Sequence, residues 1–170
     1  IKNLSTKNNF VVITRSNFKK FNSFKNIKII KYKNFNELNS KLKKLKIDIV
    51  IHCATHYVKK HNFDDIAKLT ESNILFGNVI LENIKRMRVK KFINFTTVWT
   101  NYKGQNENPY NLYASYKRAF SDILKFYEKI NSKTKFYEVF LSDTFGYGDR
   151  REKLLNVIKK NYKKKITSKI

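Results

Sequence analysis

Tyr113 and Lys117 are the two residues of this chain whose types and spacing most directly suggest chemistry. On a helix, a separation of four residues places the phenol and the ammonium on one face. A free phenol has a pKa near ~10, and a nearby cation favours the phenolate and lowers that pKa, which would make the tyrosine a usable acid/base. Lysine is abundant, with 31 of the 37 basic residues, so a Tyr and a Lys at this spacing are also expected by chance. In that case the pair would belong to an amphipathic helix with a solvated lysine.

The composition indicates one folded domain without a disulfide framework. The chain has 170 residues, of which 41% are hydrophobic and 15% aromatic, which suffices for a core. No apolar run approaches the ~20 residues of a membrane span and no secretory-type segment opens the chain, so we expect a cytoplasmic protein without a membrane partner. Cys53 is the single cysteine. His52, His56 and His61 lie close together but lack a carboxylate cluster, so no metal site is expected.

The formal net charge of +24 raises the question of a nucleic-acid partner. Arginine, the better reader of bases and phosphates, is scarce, and the lysines are spread from end to end. This pattern favours a general compositional bias over a basic patch. We therefore do not expect nucleic acid as the partner, although a basic nucleic-acid-binding module stays open as an alternative.

Short apolar runs alternate with helical stripes along the chain. The runs predict five strands, at residues 10–13, 27–30, 47–52, 91–96 and 136–141. The stripes predict four helices, at residues 35–45, 66–84, 110–130 and 152–162, with Asp64 or Asp65 as cap of the second. The predicted loop and turn lie at residues 100–109 and 146–150. Continuous apolar strands are typical of parallel sheets covered on both faces.

This alternation predicts an α/β protein with a Rossmann-type, doubly wound parallel sheet. Ligands of such sheets bind beyond the carboxyl ends of the strands. Four polar segments follow strands in this way, at residues 14–16, 53–56, 96–100 and 142–148. We expect the chemistry of the molecule there.

The order of motifs resembles the extended short-chain dehydrogenase/reductase family, which includes sugar-nucleotide epimerases, dehydratases and reductases. Tyr113 and Lys117 match its Tyr-x-x-x-Lys motif. The other matching segments are residues 48–54, 73–77 with 81–82, 92–97 and 143–148. Residues 92–99 and 111–114 are also similar to CDP-abequose synthase-type reductases.

The resemblance implies catalytic roles for three residues. Tyr113 would exchange a proton with the substrate oxygen, Lys117 would hydrogen-bond the nicotinamide ribose and keep the phenolate pKa low, and Thr97 would donate a hydrogen bond to the same oxygen. Asp143 would face the nucleotide-sugar substrate, or simply form a turn. Thr96 is assigned no role. A dehydratase of the family usually adds an acid pair beside the Thr, and residues 98–100 contain none, which leaves reductase or epimerase.

The resemblance also implies a nicotinamide cofactor. Asn73 would fix backbone near the site, and the segment after the predicted strand 47–52 would line the cofactor through Cys53, Ala54 and Thr55. Arg15 and Ser16 follow the first predicted strand, where an acid would hold the ribose of NAD and an arginine accommodates the 2′-phosphate of NADP. No acid stands there, so NADP(H) is favoured over NAD(H).

The family's glycine-rich phosphate turn has no counterpart, because no glycine precedes Gly77. We therefore expect residues 1–162 to be a partial NAD(P)-binding domain that lacks the family's first strand. Residues 163–170 would be a basic tail or the start of a substrate domain. The resemblance implies a homodimeric parent enzyme. A non-catalytic remnant of the fold remains an alternative.

Overall fold

The computed structural model describes residues 7–15, 26–142, 144 and 154–163. The chain divides into two compact units, Ile1–Phe140 and Leu141–Ile170. The predicted turn at residues 146–150 lies outside the described residues. No helix in the described ranges is long and apolar enough to cross a membrane.

Five strands form where the apolar runs predicted them. They are β1 (Phe10–Thr14), β2 (Ile27–Lys31), β3 (Ile49–His52), β4 (Lys91–Thr97) and β5 (Lys135–Leu141). β1 pairs with β2 in parallel, with Phe10 opposite Ile27, and β3 pairs with β4 in parallel, with Ile49 opposite Lys91. The predicted α/β class with parallel strands is confirmed.

The strands form two sheets, one of order β1-β2 and one of order β3-β4-β5. Within the described ranges, no strand joins them. β3 lies at one end of the three-stranded order. β3 is therefore an edge, and Ile49 and Ile51 are 49% and 55% exposed. Ile49 and Ile51 share one face of β3, so that face is only partly covered by the described residues, and the expectation of cover on both faces was wrong for this strand.

The helices are α1 (Phe35–Leu42), α2 (Phe63–Thr70), α3 (Phe76–Met87), α4 (Leu112–Ile130) and, in the second unit, α5 (Leu154–Lys163). α2 and α3 are joined by a π-helical turn, Glu71–Leu75, where one helical stripe was predicted. Asn62 caps α2 and Asp65 completes a capping box with it, so the predicted aspartate cap was wrong. The predicted loop at residues 100–109 begins in a 3-10 segment, Val98–Gly104.

A single apolar core fills the first unit. Its fully buried members include Leu38 and Leu42 of α1, Leu81 and Ile84 of α3, and Phe92 of β4. Apolar residues at helical spacing supply these contacts, as the sequence stripes predicted. The core fixes α4 and β4 side by side, which positions the candidate site.

Candidate active site

The start of α4 places the Tyr-x-x-x-Lys pair. The Asn111 side chain accepts a hydrogen bond from the Ala114 backbone N–H at 2.9 Å and so caps the helix. Its Nδ2 donates to the Lys59 carbonyl at 3.4 Å, which ties the helix start to the segment after β3. Tyr113 follows directly and is half-buried, and Lys117 lies one turn later with 2% of its surface exposed.

The Tyr113 phenol is enclosed by residues that follow β3. The ring of Tyr57 meets it edge to face, with centroids 5.1 Å apart. Burial raises the pKa of Tyr113 above its ordinary value, the side chain of Thr55 opposes this shift and the phenol of Tyr57 adds to it. Lys117 is not among the groups that shift this pKa, and burial, the largest cause, raises it where a lowering was expected.

Lys117 is a buried cation. Burial lowers its pKa to about 8, and the electrostatic influence of Cys53 and Glu138 opposes that shift. Among the described residues, no hydrogen-bond acceptor contacts its Nζ. An ammonium in this position can therefore donate to a ligand oxygen.

Thr97 ends β4 and begins the 3-10 segment. Its hydroxyl oxygen accepts a hydrogen bond from the Trp99 backbone N–H at 3.3 Å, which leaves the hydroxyl proton for another acceptor. No hydrogen bond joins Thr97 to Tyr113 in the part of the chain that the structure describes. The neighbouring Thr96 hydroxyl is buried without a partner there.

Asn73 anchors the segment after β3. It is fully buried in the π-helical turn, and its side chain accepts from the His56 backbone N–H at 2.9 Å and donates to the His56 carbonyl at 3.0 Å. Its Oδ1 also accepts from the Thr55 hydroxyl at 2.9 Å. The amide therefore holds backbone beside Tyr113. π-Helical turns often occur at functional sites.

Of the residues predicted to select the cofactor or to face the substrate, only Arg15 lies within the described residues. Arg15 follows β1 and pairs with Glu71 at 2.8 Å, and its second nitrogen donates to the Ser72 hydroxyl at 3.5 Å. The guanidinium thus contacts the start of the π-helical turn. Ser16 and Asp143 lie outside the described residues.

A polar chain behind Lys117 was missed by sequence reasoning. The His52 Nδ1 contacts the Asn94 Oδ1 at 2.9 Å, and the Asn94 amide donates to Glu138 Oε1 at 3.0 Å. The Ser121 hydroxyl donates to the same carboxylate oxygen at 2.6 Å. The available signal was a polar residue inside each of three apolar strands: His52, Asn94 and Glu138.

The described residues fit one half of a nicotinamide dinucleotide. The buried Lys117 ammonium and the Tyr113 phenol suit a ribose hydroxyl and a reacting oxygen. The phosphate half has no such fit among the described glycines. A Cβ on Gly77 would lie 2.3 Å from Phe120, so this glycine makes room for a side chain and not for a phosphate. Gly104 has open space around it and does not approach any other group. Gly77 is therefore a packing glycine. No group of metal ligands occurs among the described residues.

Comparisons with known proteins show the family and the fold of the chain. The family model described as NAD dependent epimerase/dehydratase family matches residues 1–170. A dTDP-D-glucose 4,6-dehydratase of Dictyostelium discoideum is 42% identical over 60 residues, which are 35% of this chain and 14% of that protein. A UDP-glucuronic acid 4-epimerase from Bacillus cereus, solved with NAD, has a TM-score of 0.72 at 17% identity. The match covers 95% of this chain and 56% of that one.

A second solved structure, the Bordetella bronchiseptica enzyme WbmH in complex with NAD+, has a TM-score of 0.73 at 19% identity. The match covers 96% of this chain and 57% of that one. The chain thus spans little more than half the length of these structures and a small part of the curated dehydratase. At such identities the structural matches establish the fold.

Proposed function

Because the chain belongs to the NAD-dependent epimerase/dehydratase family, we propose that it carries the acid/base residues of a nucleotide-sugar reductase or epimerase. The observation that supports this proposal is a nearly fully buried Lys117 one helical turn from the half-buried Tyr113. The Lys117 side chain is buried, but its Nζ is not among the enclosed polar atoms that lack a partner, so the nitrogen can be reached by a ligand oxygen. The neighbours that resemble the chain include epimerases of UDP-sugars.

In the proposed reaction, each residue acts on one oxygen. Tyr113 exchanges a proton between its Oη and the substrate hydroxyl or keto oxygen, and Thr97 donates a hydrogen bond to that oxygen as charge develops. Lys117 donates to a ribose hydroxyl and places positive charge near the phenolate. A bound nicotinamide supplies or accepts the hydride.

Reductase and epimerase chemistry are both compatible with these residues. Val98, Trp99 and Thr100 follow Thr97, and none is acidic. The acid pair that a dehydratase would use is thus missing beside the threonine. The 60-residue similarity to a dehydratase spans too little of that protein to change this proposal.

The choice of coenzyme depends on Arg15. We retain NADP(H) as the proposed coenzyme, since no acid stands between Ile13 and Phe18. The pairing of Arg15 with Glu71 competes with this role, so the guanidinium must exchange Glu71 for a 2′-phosphate. Neighbouring structures that contain NAD make NAD(H) the alternative.

The experiment is Tyr113→Phe in the full-length protein. We expect at least a ~100-fold loss of turnover of a nucleotide sugar, which is the usual size of a general acid/base contribution, with coenzyme binding retained. The matched control is Tyr116→Phe, since Tyr116 lies on the same helix and its hydroxyl contacts Thr70 at 2.9 Å. Activity that survives in Tyr113→Phe would remove Tyr113 from the mechanism.

A second candidate is a non-catalytic remnant of the fold. The two separate sheets and the lack of a phosphate-binding glycine among the described residues favour it. It predicts that the full-length protein with all three catalytic residues intact turns over no nucleotide sugar with either coenzyme.

A further inference from the structure

An aromatic surface begins beside the Tyr113 ring. Tyr57, in the segment after β3, meets that ring edge to face, with centroids 5.1 Å apart and planes at 87°. The ring of Trp99, which follows β4, lies 6.1 Å from the Tyr57 ring between centroids. Tyr57 makes both contacts and is still 51% exposed. The segments that follow two paired strands therefore bring a tyrosine and a tryptophan together next to the candidate acid/base.

The surface continues into the loop before α4. The Tyr110 ring lies 5.3 Å from Trp99, and the Tyr102 ring lies 4.6 Å from Tyr110, both measured between centroids. Tyr110 and Tyr102 are 42% and 36% exposed. We call Tyr57, Trp99, Tyr102 and Tyr110 the aromatic strip. Single exposed aromatic residues are ordinary, whereas contiguous apolar patches on a protein surface mark binding sites.

Backbone hydrogen bonds hold both sides of the strip. In the loop, the Tyr110 N–H donates to the Trp99 carbonyl at 3.0 Å. On the other side, the buried Asn73 side chain binds the N–H and the carbonyl of His56, the residue before Tyr57. Aromatic rings offer a large contact area at a low cost in conformational entropy. The strip is therefore prepared for a ligand before the ligand binds.

The place of the strip indicates which ligand it suits. A group that packs on Tyr57 also lies near Tyr113, so it must offer an apolar face to the ring and an oxygen to the phenol. A pyranose ring has both, because C–H groups cover its faces and hydroxyls surround its edge. The base of a nucleotide sugar fits this place less well, since a ribose and two phosphates separate it from the sugar that reacts.

We propose that Tyr57 and Trp99 form the wall against which the hexose ring of the nucleotide sugar packs while Tyr113 acts on one of its oxygens. The inference rests on the proposed function for the class of substrate and adds two residues that contact the sugar. At the far end of the strip, the Lys103 Nζ lies 5.8 Å from the centroid of the Tyr102 ring, so that ring already has a partner. The two rings nearest to Tyr113 therefore carry the proposal.

The first test uses the unmodified full-length protein. UDP-glucose, dTDP-glucose and CDP-glucose are added in turn, and the aromatic side-chain protons of the protein are saturated selectively by NMR. Saturation passes to ligand protons in contact with the rings, where carbon atoms approach to about 3.5–4 Å. We expect the hexose C–H protons of the nucleotide sugar that binds to receive more saturation than its ribose protons. Hexose protons that receive no more than the ribose would place the sugar away from the strip.

The second test is Tyr57→Leu, which removes the ring at an exposed position and keeps an apolar side chain. Calorimetry compares the affinity for the nucleotide sugar with that for the matching nucleoside diphosphate. We expect a loss of about three- to tenfold for the nucleotide sugar, the usual size of an aromatic contact, and none for the diphosphate. Trp99→Leu should act in the same direction. The control Tyr137→Leu changes a tyrosine of similar exposure, 44%, on β5 and should leave both affinities unchanged.

The outcomes separate this inference from the proposed function. Unchanged affinity for the nucleotide sugar in both Tyr57→Leu and Trp99→Leu, or an equal loss for the diphosphate, would overturn the inference alone. If these variants do not fold, saturation transfer in the unmodified protein decides. Binding of none of the three nucleotide sugars would refute the inference together with the proposed function. A nucleotide sugar that packs on the strip and is turned over with neither coenzyme would refute the proposed function and leave the contact standing.

Discussion

His52 is a titratable side chain inside the core, with 1% of its surface exposed. Its ring lies 4.8 Å from that of Phe120, and burial lowers its pKa to about 4. The unfolded chain would bind a proton near the ordinary value of 6.5, so it takes up that proton before the folded chain does. The stability associated with neutral His52 is thus complete above about pH 6.5 and is lost as pH falls towards 4.

We predict that the free energy of unfolding falls with pH in this window by about 3 kcal/mol on account of His52, since one pKa unit corresponds to ~1.4 kcal/mol. Urea denaturation followed by circular dichroism at several pH values would measure it. In His52→Gln, the free energy of unfolding should change less between pH 6.5 and 4 than in the unmodified protein. His61→Gln, which changes an exposed histidine, should keep the slope of the unmodified protein. Equal slopes in both variants would contradict the assignment.

Residue chemistry at the candidate site was partly readable from the sequence. The spacing of Tyr113 and Lys117 predicted a common helix face, and the structure places both on α4. Their environment could not be read, because it depends on burial. The contacts of Glu138 with Asn94 and Ser121 join residues 44 and 17 positions apart, which no local pattern reveals.

The strands and helices that follow a local apolar pattern were predicted from the sequence. The features that depend on tertiary structure were missed. The five strands and the helix of Tyr113 follow apolar spacing. The π-helical turn Glu71–Leu75 could not be predicted from apolar spacing. The apolar stripe continues through α2 and α3, so it gives no sign of the wider turn between them. The exposure of Ile49 and Ile51 depends on what packs against their face of β3, and the sequence of β3 alone carries no such information.

The contact between α3 and α4 depends on Gly77. A Cβ there would lie 2.3 Å from the Phe120 Cζ and 2.4 Å from its Cε2. Phe120 is fully buried and its ring packs against His52, so a Cβ on Gly77 would require a packed ring to shift. Alanine would gain about 1 kcal/mol of helix propensity, whereas overpacking a core costs about 1–3 kcal/mol.

We therefore predict that Gly77→Ala lowers the free energy of unfolding by up to about 2 kcal/mol, the steric cost exceeding the gain in propensity. Chemical denaturation measures the change. Lys85→Ala, at an exposed position of the same helix, should change stability by less than ~0.5 kcal/mol. A Gly77→Ala protein more stable than the unmodified one would show that Phe120 can move aside.

At the scale of the whole molecule, the structure positions the proposed catalytic residues more completely than it positions any residues that could bind the coenzyme phosphates. Tyr113 and Lys117 are held on a capped helix beside β4, and Asn73 fixes the segment opposite. By contrast, the described residues include no glycine turn for a pyrophosphate, and β1 and β3 belong to separate sheets. In a doubly wound fold the pyrophosphate binds at a glycine-rich strand-to-helix turn.

We predict that residues 1–170 as an isolated polypeptide bind NADP(H) and NAD(H) weakly and turn over no nucleotide sugar. The net charge of +24 will attract any polyphosphate, so calorimetry at low salt would overstate specific binding. The titration therefore belongs at high salt, where screening acts within ~3 Å at 1 M, with inorganic pyrophosphate as the matched control. NADP(H) should then bind no better than pyrophosphate. An affinity tighter than ~10 μM that persists at high salt would mean that a phosphate site exists without a glycine turn.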